Sequence, residues 1–329
     1  MPNFMQFVLT HTAAKSLVET KAYDRIYSRR IRKQAKKLLP TQVNFETTNF
    51  CNANCIMCPH SKMRRKKNVM PLSDFKKYCN QIMPYLNIKR VMLTGLGEPL
   101  LDPTIYEKIA YIKKKWPHIY VYFFTNGALL DVERGKKLIK SGIDEISISF
   151  NGGEKKDYEK VMGLEFEPTL KNIMAFLRYR KKNKIKKPLV KISCVLIKDN
   201  EGSEQEYINL FKNYADSVVV KPAINWAGTK KDFKRSKKYK EKAQKNKGWA
   251  CRGIWSTVDV QVDGKIVICC NDYEQKMPVG DLNKQTIKEV LNSPQLNKIK
   301  ELHLNKQFDK IELCKNCDTV KREFSSWWQ

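Results

Sequence analysis

The sequence has no run of roughly 20 apolar residues, the length a helix needs to cross a bilayer, so no membrane span is expected. Its first residues, MPNFMQFVLTHTAAKSLVETK, are apolar only in patches. They lack a charged leader, a long apolar stretch and a small-residue cleavage site, which makes the cytosol the expected compartment. Acidic residues are scarce beside basic ones: 34 Asp and Glu face 63 Lys and Arg, a net charge of +29. Yet there is no helix-turn-helix, RNA-recognition motif or other nucleic-acid module to go with that charge, so nucleic acid is not the expected partner. Internal repeats are absent as well.

The excess charge is clustered. Residues 1–40 carry nine Lys or Arg against Glu19 and Asp24, residues 229–247 carry ten against Asp232 and Glu241, and seven basic residues fill the ten positions from Arg178 to Lys187. Such clusters either form solvated faces or raise the local concentration of an anionic substrate. Ten cysteines, at 51, 55, 58, 79, 194, 251, 269, 270, 314 and 317, are the other excess. Structural disulfides do not suit a cytosolic chain, which leaves metal or redox work.

Between 41 and 221, short β-type runs alternate with amphipathic charged stretches. The runs are Gln42 to Thr48, Arg90 to Thr94, Ile119 to Thr125, Glu145 to Phe150, Leu189 to Ile197 and Ser217 to Lys221. Helices are expected at Ser73 to Leu86, Thr104 to Lys115, Val132 to Ser141, Thr169 to Lys182 and Ser203 to Ala215. Six β/α units predict an α/β fold with a parallel sheet, curved into a partial (β/α)6 TIM-like barrel, whose chemistry gathers at the C-terminal strand ends. The expected order is a basic helical extension over 1–40, the barrel over 41–228, a basic helical linker over 229–248, a small Cys-rich α+β domain over 249–322 and a tail over 323–329. In that domain Thr257 to Val262 and Lys265 to Cys270 read as a hairpin around Asp263-Gly264. Helices follow at Thr286 to Leu291 and Ser293 to Leu302.

Cys51-Asn52-Ala53-Asn54-Cys55-Ile56-Met57-Cys58 sets three thiols within eight residues, just past the first strand. Thiolates are soft ligands for iron–sulfur clusters or zinc. Three of them leave one iron of a cubane open, whereas zinc would take a fourth ligand from elsewhere. The spacing resembles the signature of the radical SAM superfamily. That resemblance implies a [4Fe–4S] cluster on Cys51, Cys55 and Cys58 whose open iron binds S-adenosylmethionine and cleaves it reductively to a 5′-deoxyadenosyl radical. Met57 stands where the family often has an aromatic residue, and it is placed at the cofactor.

Gly95-Leu96-Gly97-Glu98, after the second strand, resembles the family's Gly-Gly-Glu element with Leu96 inserted. The resemblance implies that Glu98 accepts from the cofactor's ammonium, while Gly95 and Gly97 allow close backbone approach. Asn126 after the third strand is placed at the cofactor too. Ser147, Ser149 and Asn151 are placed at its ribose hydroxyls, and Ser147 and Ser149 share one side of a strand.

Cys251, Cys269 and the pair Cys314 and Cys317, with four residues between Gly264 and Cys269, resemble the SPASM/twitch extension. This implies a second, fully ligated [4Fe–4S] cluster, the alternative being a four-thiolate zinc site. Cys79 and Cys194 are expected to be core residues. Cys270, next to a ligand, is the candidate catalytic thiol, able to return a hydrogen atom to a substrate radical. Small enzymes of this kind dehydrogenate or epimerise sugars and aminocyclitols, or modify ribosomal peptides. The expected substrate is small, polar, of carbohydrate type and open to carrying negative charge, with a peptide as the alternative. A flavodoxin or ferredoxin is the expected reducing partner. The competing class is a basic, zinc-stabilised nucleic-acid-binding protein without catalysis, which gives no reason for the Gly-Leu-Gly-Glu loop.

Overall fold

A computed structural model describes residues 21–230, 233–234 and 250–318. The expected basic linker and the tail therefore fall largely or wholly outside the described residues. Six strands form the expected parallel series: β1 (Gln42–Phe45), β2 (Arg90–Met92), β3 (Tyr120–Thr125), β4 (Glu145–Ser149), β5 (Leu189–Leu196) and β6 (Ser217–Pro222). Each pairs in parallel with the next, as helical crossovers require. The helices also fall close to expectation, with one extra, Lys155–Met162, in the segment after β4.

Alternation along the strands separates two faces. Val121 and Phe123 of β3, Ile146 and Ile148 of β4, and Ile192 and Cys194 of β5 are buried in the hydrophobic core. Successive side chains on a strand point to opposite faces. Tyr122 and Phe124, Ser147 and Ser149, and Ser193 and Val195 therefore share the inner face. Burial of the apolar set fixes the register, since a slip of one residue would exchange the faces.

The C-terminal segment is not an isolated hairpin. β7 (Thr257–Val260) pairs in parallel with β1, then β8 (Lys265–Val267) and β9 (Pro278–Asp281) follow antiparallel, giving one nine-stranded sheet in the order β6-β5-β4-β3-β2-β1-β7-β8-β9. The Asp263-Gly264 turn forms as expected, with Gly264 at a φ of +85° that glycine takes without strain. Two helices follow, Ile287–Leu291 and Pro294–Leu304, with a capping box between Thr286 and Glu289 at the first. At the other end of the described chain, the basic helix Lys21–Ala35 leans on the second of these through Arg32, which donates to Asn305 Oδ1 at 2.5 Å.

Candidate active site

The cysteine loop leaves β1 and is held from three sides. The Glu98 amide donates to the Phe50 carbonyl at 2.8 Å, and the Ile56 amide to the Val161 carbonyl at 3.0 Å. The Trp226 indole donates to the Met57 carbonyl at 2.9 Å. Gly97 is glycine because the carbonyls of Thr48 and Phe50 occupy the space a side chain would need, and Gly95 abuts the Glu46 side chain in the same way. The two glycines thus admit the protein's own β1 loop.

Cys51, Cys55 and Cys58 lie within electrostatic reach of one another. Burial pushes all three thiols up, Cys58 to about 11, and for Cys55 the neighbouring thiolates Cys58 and Cys51 add to it. The His60 amide and the charge of Lys230 favour ionised Cys58. Iron held by these three thiols would supply the positive charge that reverses this balance and keeps them deprotonated.

Glu98 ties three loops together. Its Oε1 accepts from the Thr125 hydroxyl at 2.7 Å and the Leu100 amide at 3.1 Å, and its Oε2 accepts from the Asn126 amide at 2.8 Å. A carboxylate has about four acceptor positions, so one remains, on Oε2, for a cationic ligand. Burial raises its pKa. The Asn126 side chain donates to Asn52 of the cysteine loop at 2.8 Å. Ser147 and half-buried Ser149 face inward. Asn151 is spent on the protein: it accepts from the Val195 amide at 2.7 Å and its Nδ2 lies 2.8 Å from Met162 Sδ. The Met57 side chain is buried with Val161, Ile197, Ala223 and Phe233.

Cys251, Cys269, Cys314 and Cys317 line one cavity of about 150 Å³, whose other walls include Ile254, Ile268 and Leu313. These thiols surround a space instead of meeting at a point, which suits a cubane with its ligands on four separate irons. Among the described residues no three His, Cys, Asp or Glu side chains stand at single-ion spacing. Burial raises Cys269 and pushes Cys314 to about 12. Exposed Cys270 lines this cavity and also a small recess formed by Glu46, Gly95, Gln261 and Tyr273. Cys79 and Cys194 are buried in the core as expected, and Asn200 Nδ2 is 3.5 Å from Cys194 Sγ, on the face away from the inner surface.

Several site residues escaped the sequence reading. Glu46 receives both arms of the Arg65 guanidinium, at 2.9 and 2.8 Å, and the Val262 amide at 3.2 Å. Arg65 Nε donates to the Tyr273 carbonyl. This clamp holds the SPASM-like strands against the mouth of the barrel. Asp259 of β7, a buried carboxylate, accepts from Asn44 of β1 at 2.7 Å and faces both recesses, and burial pushes its carboxyl up to about 6. Lys221 reaches from β6 to the Phe124 ring on β3, 5.4 Å from its centroid, and burial lowers its pKa. Inner-face position in an alternating strand was the signal available for Asn44, Asp259 and Lys221.

A model of the radical SAM superfamily matches residues 45–211, and a model described as an iron–sulfur cluster-binding domain, SPASM, matches 251–318. The chain belongs to the radical SAM superfamily. As a radical SAM protein with a SPASM segment, it uses S-adenosylmethionine and two iron–sulfur clusters, one binding that cofactor and one auxiliary. The zinc-stabilised, non-catalytic reading is thereby set aside. A similar curated relative is the S-adenosyl-L-methionine-dependent 2-deoxy-scyllo-inosamine dehydrogenase of Niallia circulans, 21% identical over 85% of this chain and 93% of that one. The GTP 3′,8-cyclase of Clostridium acetobutylicum is 31% identical, but over only 51% of each chain. Among solved structures, BtrN in complex with AdoMet and 2-DOIA covers 85% of this radical SAM chain and 93% of its own at 18% identity, with a TM-score of 0.60. Streptococcus suis SuiB bound to the precursor peptide SuiA covers 91% and 77% at 16% identity, with a TM-score of 0.66. These structures share its partial TIM-barrel fold. Among the described residues no helix is long and apolar enough to cross a membrane.

Proposed function

We propose that this chain is a cytosolic enzyme that removes a hydrogen atom from a small, anionic, carbohydrate-type substrate and returns one from Cys270, giving an epimer. In this reading Cys51, Cys55 and Cys58 hold the cluster that binds S-adenosylmethionine, which supplies a 5′-deoxyadenosyl radical when bound. Glu98, held by Thr125, Asn126 and Leu100, offers its remaining acceptor position to the cofactor's ammonium, and Ser147 and Ser149 face its ribose from β4. Cys251, Cys269, Cys314 and Cys317 hold the auxiliary cluster.

The observation that carries the reading is the placement of Cys270 on the rim shared by the auxiliary cavity and the recess beside Gly95 and Glu46. An S–H bond is weaker than most C–H bonds, so the thiol gives its hydrogen to the substrate carbon radical and becomes a thiyl radical. One electron from a flavodoxin- or ferredoxin-type donor and one solvent proton restore it. Two inner-face groups favour an anionic, hydroxylated substrate. Lys221 has no acidic partner among the described residues, and the Ser193 hydroxyl is buried without a hydrogen bond.

Dehydrogenation is the second reading, favoured by the similarity to a dehydrogenase matched over 93% of its length. There the auxiliary cluster that Cys251, Cys269, Cys314 and Cys317 would hold would supply the acceptor for the radical's electron, with the proton leaving the substrate hydroxyl to solvent. Turnover in deuterium oxide separates the two. Epimerisation places one solvent deuterium in the inverted product, and Cys270→Ala still forms 5′-deoxyadenosine while losing that product. An oxidised, unlabelled product made equally well by the variant would contradict Cys270 as donor.

A further inference from the structure

His303 is fully buried near the end of the helix Pro294–Leu304 and has no part in the chemistry above. Its ring is held edge-on by Trp255 and Phe308, with centroids 6.4 and 5.0 Å away. The backbone N–H of Cys251 donates to Nδ1 at 3.3 Å, and Nε2 lies 3.3 Å from Cys314 Sγ. Together the two contacts fix the ring proton. A nitrogen that accepts from an amide carries no hydrogen, so the single N–H of this imidazole sits on Nε2 and points at the Cys314 sulfur.

We propose that His303 is a positioning residue of the auxiliary cluster, donating an Nε2–H···S hydrogen bond to the Cys314 thiolate and thereby raising the cluster's reduction potential. The inference rests on the ligand set proposed above. Sulfur ligands carry more negative charge when a cluster is reduced, and a hydrogen bond strengthens with the charge on its acceptor. The bond therefore stabilises the reduced state over the oxidised one, and hydrogen bonds to sulfur are a recognised determinant of cluster potential. Cys269 has its own backbone donor, the Asn271 amide. Cys314 takes its donor from a side chain, so here the effect is open to substitution. The same ring joins two distant ligand segments, through the Cys251 amide and the Cys314 sulfur.

The test is a redox titration of both clusters in the anaerobic holoenzyme, followed by electron paramagnetic resonance. His303→Phe keeps a ring between Trp255 and Phe308 but removes the donor, and His303→Gln restores an N–H at the position of Nε2. The Phe variant is expected to shift the auxiliary cluster toward oxidation about tenfold, a fall of about 59 mV for one electron. The cofactor-binding cluster should keep its potential, and the Gln variant should stay near the unmodified value. Unchanged potentials in a fully loaded Phe variant would overturn the proposal. Should the Phe variant fail to load, histidine labelled with 15N in the ring decides in the unmodified holoenzyme. A 15N coupling on the auxiliary signal that disappears in the Gln variant supports the bond, and its absence overturns it. Half the iron in the unmodified protein would instead refute the ligand set itself.

Discussion

The Lys108 ammonium is fully buried, 2.6 Å from Asp102 Oδ2 and 2.6 Å from the Met70 carbonyl. Asp102 also caps the turn through the Thr104 amide at 2.9 Å, so this one carboxylate anchors the segment that follows Glu98. A buried pair adds little net stability over an apolar replacement, but removing one partner strands the other charge. Asp102→Ala is therefore expected to destabilise the protein by about 3–5 kcal/mol, read from the denaturant midpoint at unchanged slope. A loss under about 1 kcal/mol would mean that water reaches Lys108 and the site is less enclosed than the geometry shows. Sequence gave no warning of this pair, because its consequence depends on burial and not on residue type.

Among the elements, the segment after β6 joins the cysteine loop after β1 to the segment carrying Cys314 and Cys317. Trp226 reaches the Met57 carbonyl, Asn225 Nδ2 donates to the Asn316 carbonyl at 2.7 Å, and Gly228 lies against Asn316 with a φ of +82°. A side chain at Gly228 would collide with Asn316 and be strained by its backbone angle. Gly228→Val should loosen the Cys314–Cys317 loop, lowering iron loading at the auxiliary site while the cofactor-binding cluster remains. Equal loading of both sites in that variant would contradict the junction. The six β/α units were legible because apolar alternation and amphipathic period survive in short segments, and the cysteine loop because its spacing is local. The parallel pairing of β7 with β1, the Glu46–Arg65 clamp and the contacts of His303 were not legible. Each joins residues that only the folded sheet brings together, across separations that no local pattern records.

At the scale of the whole molecule, one sheet carries both groups of cysteines proposed to hold the clusters. β1 leads directly into Cys51–Cys58, and its neighbour β7 lines the auxiliary cavity through Asp259. Both sites therefore rest on one sheet, with Cys270 on the rim of the cavity beside β7. The central claim is that Cys51, Cys55 and Cys58 form the site of S-adenosylmethionine cleavage and that a separate set of thiols holds a second cluster. Its most direct test is iron content together with 5′-deoxyadenosine formation under dithionite, comparing the reconstituted protein with the variant in which Cys51, Cys55 and Cys58 are all Ala. About eight irons should fall to about four, the content of one remaining cubane, and 5′-deoxyadenosine should vanish. A variant that still formed 5′-deoxyadenosine, or an unmodified protein holding only about four irons, would contradict the account.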